Sequence, residues 1–300
     1  MAAEPPRAPR TLGLIFAALG ALGFAFKAIF VKSAYAYGVD ATTLLALRMA
    51  YSLPLFLLMG YAAQRSAPLR LTGADWRELL ALGFLGYYLS SYLDFLGLKY
   101  ITASLERVIL FIYPTLVVLI SALLKGRRLS GRLVAALALS YVGVALVVVN
   151  DLHTEAGRIE FGAPLVFASA LTYALYMIRA GSILQRLGAA RVAAGATGIA
   201  CVLSLVQFAL LRPLHDLAQV WQVQALSLSM AVFSTVLPIW MVSEAMRRLG
   251  AGPTAIVASL GPVFTLLLAG ALLHEPITLL QLAGSALVML GVRLVSQLKG

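Results

Sequence analysis

The sequence aligns with itself at an offset of 148 residues, and this repeat limits the folds that the chain can adopt. Residues 97–147 match residues 245–295 without a gap, so that Ala103 falls on Ala251 and Pro114 falls on Pro262. Self-similarity over such a length indicates a chain built from related structural units. We therefore expect two similar halves that pack against each other.

The composition places both halves in a lipid bilayer. Hydrophobic residues make up 61% of the chain, charged residues only 12%, and the mean hydropathy is +0.93. A soluble domain carries about 25% charged residues, so a single soluble core could not bury this much apolar surface. The apolar segments reach roughly 20 residues, the length at which a helix spans about 30 Å of hydrocarbon. The sequence lacks the short alternating segments of an outer-membrane barrel.

The breaks between apolar segments divide the chain into ten predicted membrane-spanning helices, with no sizeable soluble domain. Turn residues and charges mark these breaks, for example Asp40 after the first segment and Pro213 after the seventh. Five helices belong to each repeat, the first at residues 11–150 and the second at residues 160–298. The predicted helices cover residues 12–35, 41–63, 77–98, 103–124, 131–150, 161–183, 191–211, 222–246, 252–273 and 278–297.

Basic residues predict the orientation of the chain in the membrane. The net charge is +11, and the basic residues lie in short blocks in alternate connections. The opposite connections carry acidic residues such as Asp40, Asp151 and Glu275. Because basic connections stay on the cytoplasmic side, we predict cytoplasmic termini and the inner membrane of a bacterial cell. The same distribution argues against nucleic acid as a partner.

An odd number of helices in each half makes the repeat an inverted one. The two halves then enter the bilayer in opposite directions and form a pair around a central cavity. The charges agree, because Arg127 and Arg128 of the first half fall on Glu275 and Pro276 of the second. This all-α architecture is typical of transporters, since the seam between the halves can open toward either side of the membrane.

Two short hairpins connect these features to a known family. Residues 99–103 and 247–251 each end on an alanine that lies eleven residues before a proline, Pro114 or Pro262. With Glu275 and Gly291, they make the chain resemble the EamA family of the drug/metabolite transporter (DMT) superfamily, as two EamA-like halves. The resemblance implies ten helices in inverted repeats, a central cavity and alternating access. It also implies transport of small metabolites, with amino acids a frequent substrate class.

One position departs from the pattern of that family. An acidic residue usually follows the fourth helix, as Glu275 follows the ninth, and here the equivalent position is Arg127. We interpret the acidic residue as a structural cap for the helix that comes after it. The departure then leaves transport itself unaffected.

Lys27 is the ionisable residue predicted to lie deepest in the membrane. A charge at the centre of a membrane helix costs roughly 2.5–3.5 kcal/mol on insertion scales, so Lys27 needs a partner or a function. In one interpretation it faces the cavity and binds a carboxylate or phosphate of the substrate. In the other it pairs with Asp94 or Glu106, or extends its ammonium group toward the interface.

Three further charges lie near the predicted outer mouth, namely Asp94, Glu106 and Arg107. We predict that they form an ion-pair cluster or gate. Glu106 and Arg107 point about 100° apart on a helix, so each needs a different partner. The alternative is that a buried carboxyl group binds a coupling proton.

Aromatic residues in the middle of predicted helices indicate where the cavity lies. Buried tyrosine and tryptophan need hydrogen-bond partners, which a water-filled cavity supplies. The repeat agrees, since Tyr92 falls on Trp240. The alternative is the belt of aromatic residues at the membrane interface. Together with Lys27, the predicted cavity residues are Tyr88, Tyr92, Tyr173, Tyr176 and Trp240.

Three prolines, Pro114, Pro238 and Pro262, lie inside predicted helices, and the first and last are equivalent in the repeat. Proline removes one backbone hydrogen bond and bends a helix. We predict bends that shape the cavity or flex as it opens, with a packing role alone as the open alternative.

The leading functional prediction is a secondary transporter that exports small organic metabolites, foremost amino acids, by alternating access. Other substrates, such as nucleotide-linked sugars or drugs, stay open. The sequence has no phosphate-binding Gly-Lys-Ser/Thr loop, and its three histidines form no metal-binding or hydrolase motif, so an enzyme and a non-transporting scaffold are minor alternatives. No cofactor or metal is predicted. The predicted partners are a small-molecule substrate and lipid, for a monomer or a homodimer.

Overall fold

The computed structural model describes residues 10–124, 126, 130–153, 158–249, 254, 257–258 and 260–297. Helix accounts for nearly all of these residues, and no strand occurs among them. Arg127, Arg128 and Ala251 lie outside these ranges. The charge inversion and the second hairpin therefore stay observations on the sequence.

The described helices are numbered here in chain order. A short 3₁₀ turn, Leu214–Leu217, lies between α9 and α10. The helices are α1 Arg10–Tyr35, α2 Ala41–Ser66, α3 Gly73–Leu82, α4 Ser90–Leu98, α5 Ala103–Leu110, α6 Tyr113–Leu124, α7 Gly131–His153, α8 Ile159–Leu187, α9 Ala189–Leu211, α10 Trp221–Ala231, α11 Leu237–Leu249, α12 Gly261–Leu273 and α13 Leu279–Gln297.

Eight helical stretches in the described ranges are long and apolar enough to cross a membrane. Two shorter apolar helices, α12 and α13, lie within the ninth and tenth predicted segments. Large apolar side chains lie on the outside of the bundle, as with Leu58 at 64% and Leu210 at 79% exposure. Because lipid is the solvent that accommodates such a surface, the chain is an integral membrane protein.

Two membrane stretches contain wider, π-helical turns. Residues Gly83–Leu89 join α3 to α4, and residues Val232–Val236 join α10 to α11. Glycine allows α8 to approach the first of them, since a Cβ atom on Gly86 would lie 2.4 Å from the ring of Tyr176. Turns of this kind often mark functional sites in membrane and soluble helices alike.

Each of the three prolines lies in the first turn of a helix that follows an irregular stretch. Pro114 follows a turn at residues 111–112, Pro238 follows the second π-helical stretch, and Pro262 follows a turn at Leu260. Proline has no N–H to donate, and the first turn of a helix requires none. The predicted helix over residues 103–124 is therefore divided into α5 and α6.

Four helix pairs make the most extensive contacts: α1 with α11, α2 with α9, α4 with α8, and α7 with α13. Backbones meet directly where α7 crosses α13. A Cβ atom on Gly284 would lie 2.5 Å from the carbonyl oxygen of Gly143, and one on Gly143 would lie 2.6 Å from the carbonyl oxygen of Gly284. Small residues of this kind let membrane helices approach closely.

Replacing Gly284 by leucine should destabilise the bundle, because the new side chain overlaps the backbone of α7. Overpacking of this kind costs on the order of 1–3 kcal/mol. We expect a lower melting temperature for the purified protein in detergent. Gly181→Leu is the matched control, since a Cβ atom there meets nothing within 4 Å. Equal melting temperatures for the two variants would contradict the close crossing.

Candidate functional site

The connections between helices define two ends of the bundle. Asp40, Thr102 and Glu275 line one cavity and mark what we call the Asp40 end. At the opposite end, where α1 begins, Glu78 pairs with Arg179 at 2.9 Å. We call this the N-terminal end. Each functional side chain below is placed relative to these two ends.

Lys27 connects three helices inside the bundle. Its Nζ atom on α1 donates to Asp94 Oδ2 on α4 at 2.6 Å and to Glu106 Oε1 on α5 at 2.9 Å. The side chains of the two acids are only 3% and 0% exposed, compared with 15% for Lys27. We call these three residues the Lys27 cluster. The lysine therefore pairs with both acids at once.

Each acid of the Lys27 cluster keeps one carboxylate oxygen without a hydrogen bond. Asp94 Oδ1 and Glu106 Oε2 are buried, and neither has a partner in the described part of the chain. Because both acids accept from the same Nζ atom, at 2.6 and 2.9 Å, the two carboxyl groups are close neighbours. Two ionised carboxylates repel at such a distance, so this arrangement can accept a proton or another positive group.

Two arginines, the buried Arg48 and the partly buried Arg107, flank the cluster. Arg107 Nε donates to Thr265 Oγ1 on α12 at 2.9 Å, and its guanidinium also donates to the carbonyl of Phe24 on α1. Arg48 Nε donates to Thr235 Oγ1 at 3.1 Å, while Arg48 Nη1 is buried with no partner in the described part of the chain. Arg107 and Glu106 thus have different partners, as the angle between them predicts, although both contact α1.

The charges around the cluster do not cancel. The region contains three cations, Lys27, Arg48 and Arg107. It contains only two acids, Asp94 and Glu106, so one positive charge is in excess when both acids are ionised. Arg48 lies close enough to Asp94 to interact with it electrostatically. Removing an unpaired charge from water costs several kcal/mol. An anionic group that enters the bundle would therefore be attracted to this region.

A cavity of about 740 Å³ opens at the Asp40 end. Its volume falls within the range of about 300–1,000 Å³ that is typical of small-molecule sites. The lining carries charges of both signs, with Lys32 and Lys99 as cations and Asp40 and Glu275 as anions. A zwitterionic molecule could therefore find a partner for each of its charges.

Two residues that line this cavity lie about one helical turn from the Lys27 cluster along the chain. Thr102 lines the cavity and precedes Glu106 by about one helical turn. Lys32 also lines it and follows Lys27 by five residues on α1. The cluster thus lies deeper in the bundle than the cavity, on the side away from the Asp40 end.

Four tyrosines pack together near the middle of the bundle. The hydroxyl groups of Tyr87 and Tyr176 lie 3.1 Å apart. The ring of Tyr173 lies 5.0 Å from that of Tyr113 and 5.3 Å from that of Tyr176, measured between centroids. We call these residues the tyrosine group. The structure thus brings the predicted residues Tyr173 and Tyr176 together and adds two tyrosines that were not predicted to line the cavity.

The other predicted aromatic residues lie elsewhere. Tyr92 packs against the apolar core around α1 and α2. The ring of Tyr88 lies 5.6 Å from that of Phe84, which is 42% exposed. Trp240 is 49% exposed and contacts the edge of Phe16, with centroids 5.4 Å apart. Tyr88 and Trp240 are therefore peripheral in this conformation.

Polar residues at the Asp40 end bind the start of α5 to later parts of the chain. Glu275 accepts hydrogen bonds from the N–H groups of Ala103 and Ser104 at 2.8 and 3.2 Å, and from Ser104 Oγ at 2.8 Å. Thr102 Oγ1 donates to Asp151 on α7 at 2.6 Å. The first and second halves of the chain are thus linked directly at this end.

The role predicted for Glu275 as a cap of the next helix is wrong. The next helix, α13, begins at Leu279, and Thr278 accepts the hydrogen bond from Gln281 N at 3.2 Å in its first turn. Glu275 instead caps α5, from the other half of the chain. The sequence pattern indicated that the acid matters but did not indicate its partner, because the contact spans 172 residues.

Comparison with known proteins places these features in a family. The sequence profile of the EamA-like transporter family matches residues 11–149 and again residues 160–297. A Bacillus subtilis protein named uncharacterized transporter YcbK is 29% identical over 279 residues, covering 91% of this chain and 88% of its own. The Synechocystis protein named uncharacterized transporter sll1319 is 23% identical, covering 95% and 93%. A solved crystal structure aligns at a TM-score of 0.65 and 19% identity, covering 96% of this chain and 98% of its own, which supports the fold alone.

Ionisable groups held inside a lipid-covered helical bundle, next to a polar cavity, are typical of membrane transporters. The names of the relatives agree with that class. Because the family profile covers nearly the whole chain, this protein belongs to the EamA-like transporter family, which is part of the DMT superfamily.

Proposed function

We propose that this protein is a secondary transporter that exports small organic metabolites, foremost amino acids, by alternating access. The observation that carries the proposal is the cavity at the Asp40 end, which offers charges of both signs and lies about one helical turn from the buried Lys27 cluster. An amino acid carries one carboxylate and one ammonium group, and each would meet an opposite charge there. We place the protein in a bacterial inner membrane with both termini cytoplasmic, on the evidence of its basic connections.

We propose ten membrane-spanning helices in two inverted halves, with α3–α4, α5–α6 and α10–α11 each counted as one span. Features recurring at the repeat offset support this arrangement. The π-helical turns at residues 83–89 fall on residues 231–237, and such turns occur at 232–236. The helix break before Pro114 falls on the turn before Pro262. Packing is reciprocal too, since α1 contacts α11 as α8 contacts α4.

The proposed substrate pathway runs from the cavity past the Lys27 cluster to the tyrosine group. In this pathway Lys27 and Arg107 attract the substrate carboxylate, while Asp94 and Glu106 meet its ammonium group. Tyr92, Tyr173 and Tyr176 contribute the aromatic walls predicted from the sequence. Tyr88 and Trp240 would take part only in a conformation that brings their helix faces inward.

Alternating access requires the Asp40 end to close while the N-terminal end opens. Lys27, Asp94 and Glu106 lie on three different helices, so a relative movement of α1 would break their ion pairs. The predicted gate of Asp94, Glu106 and Arg107 would thereby respond to the substrate. The three prolines lie beside irregular turns, where a helix bends at low cost.

The test is transport of labelled amino acids into everted inner-membrane vesicles. Vesicles that contain the protein should accumulate at least one amino acid faster than vesicles without it, because export from the cell corresponds to uptake in everted vesicles. A labelled nucleotide-linked sugar is tested in the same vesicles. Its phosphate groups are anionic, so the excess of positive charge near the Lys27 cluster would attract it. Absence of protein-dependent flux for every amino acid and for the sugar would refute the proposed function.

A further inference from the structure

We propose that Asp94 and Glu106 together hold one exchangeable proton, and that the ammonium group of the substrate displaces it. The protein would then be a proton antiporter, in which each exported amino acid is exchanged for an entering proton. The part that concerns exchange rests on the proposed function, whereas the proton site itself stands on the geometry of the Lys27 cluster.

The unpartnered oxygens are the first support for a proton. Asp94 Oδ1 and Glu106 Oε2 are both buried without a partner in the described structure, on side chains that are 3% and 0% exposed. Their carboxyl groups are close neighbours, because both accept from the same Lys27 Nζ atom. Two ionised carboxylates this close in a place without bulk water repel, whereas a single proton on one of them removes the repulsion.

Lys27 alone does not remove the need for that proton. One ammonium group carries one positive charge, and it already donates at 2.6 and 2.9 Å to the other oxygen of each acid. Within this direct contact the two carboxylates leave one negative charge in excess. A proton on either acid restores neutrality inside the cluster.

Other charged groups near Asp94 and Glu106 favour loss of the proton and so allow its exchange. Arg48 on α2 and Arg107 on α5 favour the ionised acids by their charge, although their recorded hydrogen bonds go to other groups. Tyr35 on α1 also lies within electrostatic range of Asp94, and its hydroxyl donates to the carbonyl of Phe95 at 2.6 Å.

The cavity provides the route for the proton. It contains Thr102, about one turn from Glu106, and Lys32, beyond Lys27 on α1. A hydronium ion in the cavity transfers a proton to a carboxylate oxygen, which gives a carboxyl group and water. When the ammonium group of a substrate approaches the same oxygens, the carboxyl O–H returns its proton to water. The substrate and the proton therefore compete for one site, which is the requirement for antiport.

The first experiment detects the proton without any substrate. Infrared spectra of the purified protein should contain the carbonyl stretch of a protonated carboxyl group that disappears as the pH is raised. Asp94→Asn and Glu106→Gln should each remove this band, because either change leaves one acid paired with Lys27. Glu244→Gln, which alters an ion pair within α11, should keep it. A band that survives in both cluster variants, or is absent from the wild type at every pH, would overturn the proton site.

The second experiment tests displacement. Each amino acid of the vesicle panel is added in turn to the purified protein in weakly buffered detergent that contains a pH indicator dye. The amino acid that is transported should release protons from the wild type and from Glu244→Gln, and should release none from Asp94→Asn. Transport without proton release would overturn the antiport, while the transporter function stands. Absence of all transport would instead count against the proposed function, and the infrared bands would still decide the proton site.

Discussion

Replacing Lys27 by methionine should abolish transport and strongly destabilise the protein. The change removes the ammonium group that lies 2.6 and 2.9 Å from two buried carboxylates. Removing one partner of a buried ion pair costs about 3–5 kcal/mol, since it leaves an uncompensated charge. We expect no protein-dependent flux in vesicles and a clearly lower melting temperature in detergent, both measured at equal amounts of inserted protein.

Two variants separate the role of Lys27 in stability from its role in transport. The triple variant Lys27→Met, Asp94→Asn, Glu106→Gln removes all three charges and should recover most of the melting temperature without recovering flux. Glu244→Gln removes an acid from a pair within one helix, at 2.6 Å from Arg248, and should affect flux far less than Lys27→Met. If Lys27→Met transports at the wild-type rate, the cluster is not part of the pathway.

Replacing Glu275 by alanine should have the next largest effect. Glu275 accepts three hydrogen bonds from Ala103 and Ser104 at the start of α5, which also carries Glu106. Hydrogen bonds to a charged group contribute about 1.5–3 kcal/mol each, and water at the cavity recovers part of the loss. We expect a loss of roughly 2–3 kcal/mol in the free energy of unfolding, within the range of charged hydrogen bonds.

Transport should also slow in Glu275→Ala, because the start of α5 would lose its link to the second half of the chain. Glu160→Ala is the control, since its pair with Arg158 is exposed and 3.4 Å long and should contribute little. Thermal melts and vesicle flux of the two variants give the comparison. If Glu160→Ala proves as damaging as Glu275→Ala, the link at the Asp40 end has no special importance.

Much of the fold can be predicted from the sequence because lipid imposes simple rules. Long apolar segments must form helices, since a backbone in hydrocarbon has to satisfy its own hydrogen bonds. For instance, the first residues of α2 and α9 lie within two positions of the starts of the predicted helices 41–63 and 191–211. The division at Pro114 was missed, because the apolar pattern continues across it while the missing N–H interrupts the helix.

The sequence predicted which types of residue form the candidate site, but it predicted less well which residues contact one another. The cost of a buried charge indicated that Lys27, Asp94 and Glu106 need partners, and the structure pairs them with one another. The aromatic prediction selected Tyr173 and Tyr176 but not Tyr87 or Tyr113. Helix rotation decides which ring faces which, and rotation depends on neighbours that are distant in the sequence.

The sequence by itself determined that this protein lies in a membrane, that its halves repeat and that its deep charges must be neutralised. These properties follow from segment length, self-similarity and the low polarity of lipid, which act on every possible packing. Only the tertiary structure decided that one lysine serves two acids and that Glu275 caps a helix of the other half. Those pairings depend on the depth and the rotation at which the helices meet. Close approaches between backbones, such as that of Gly143 and Gly284, determine both.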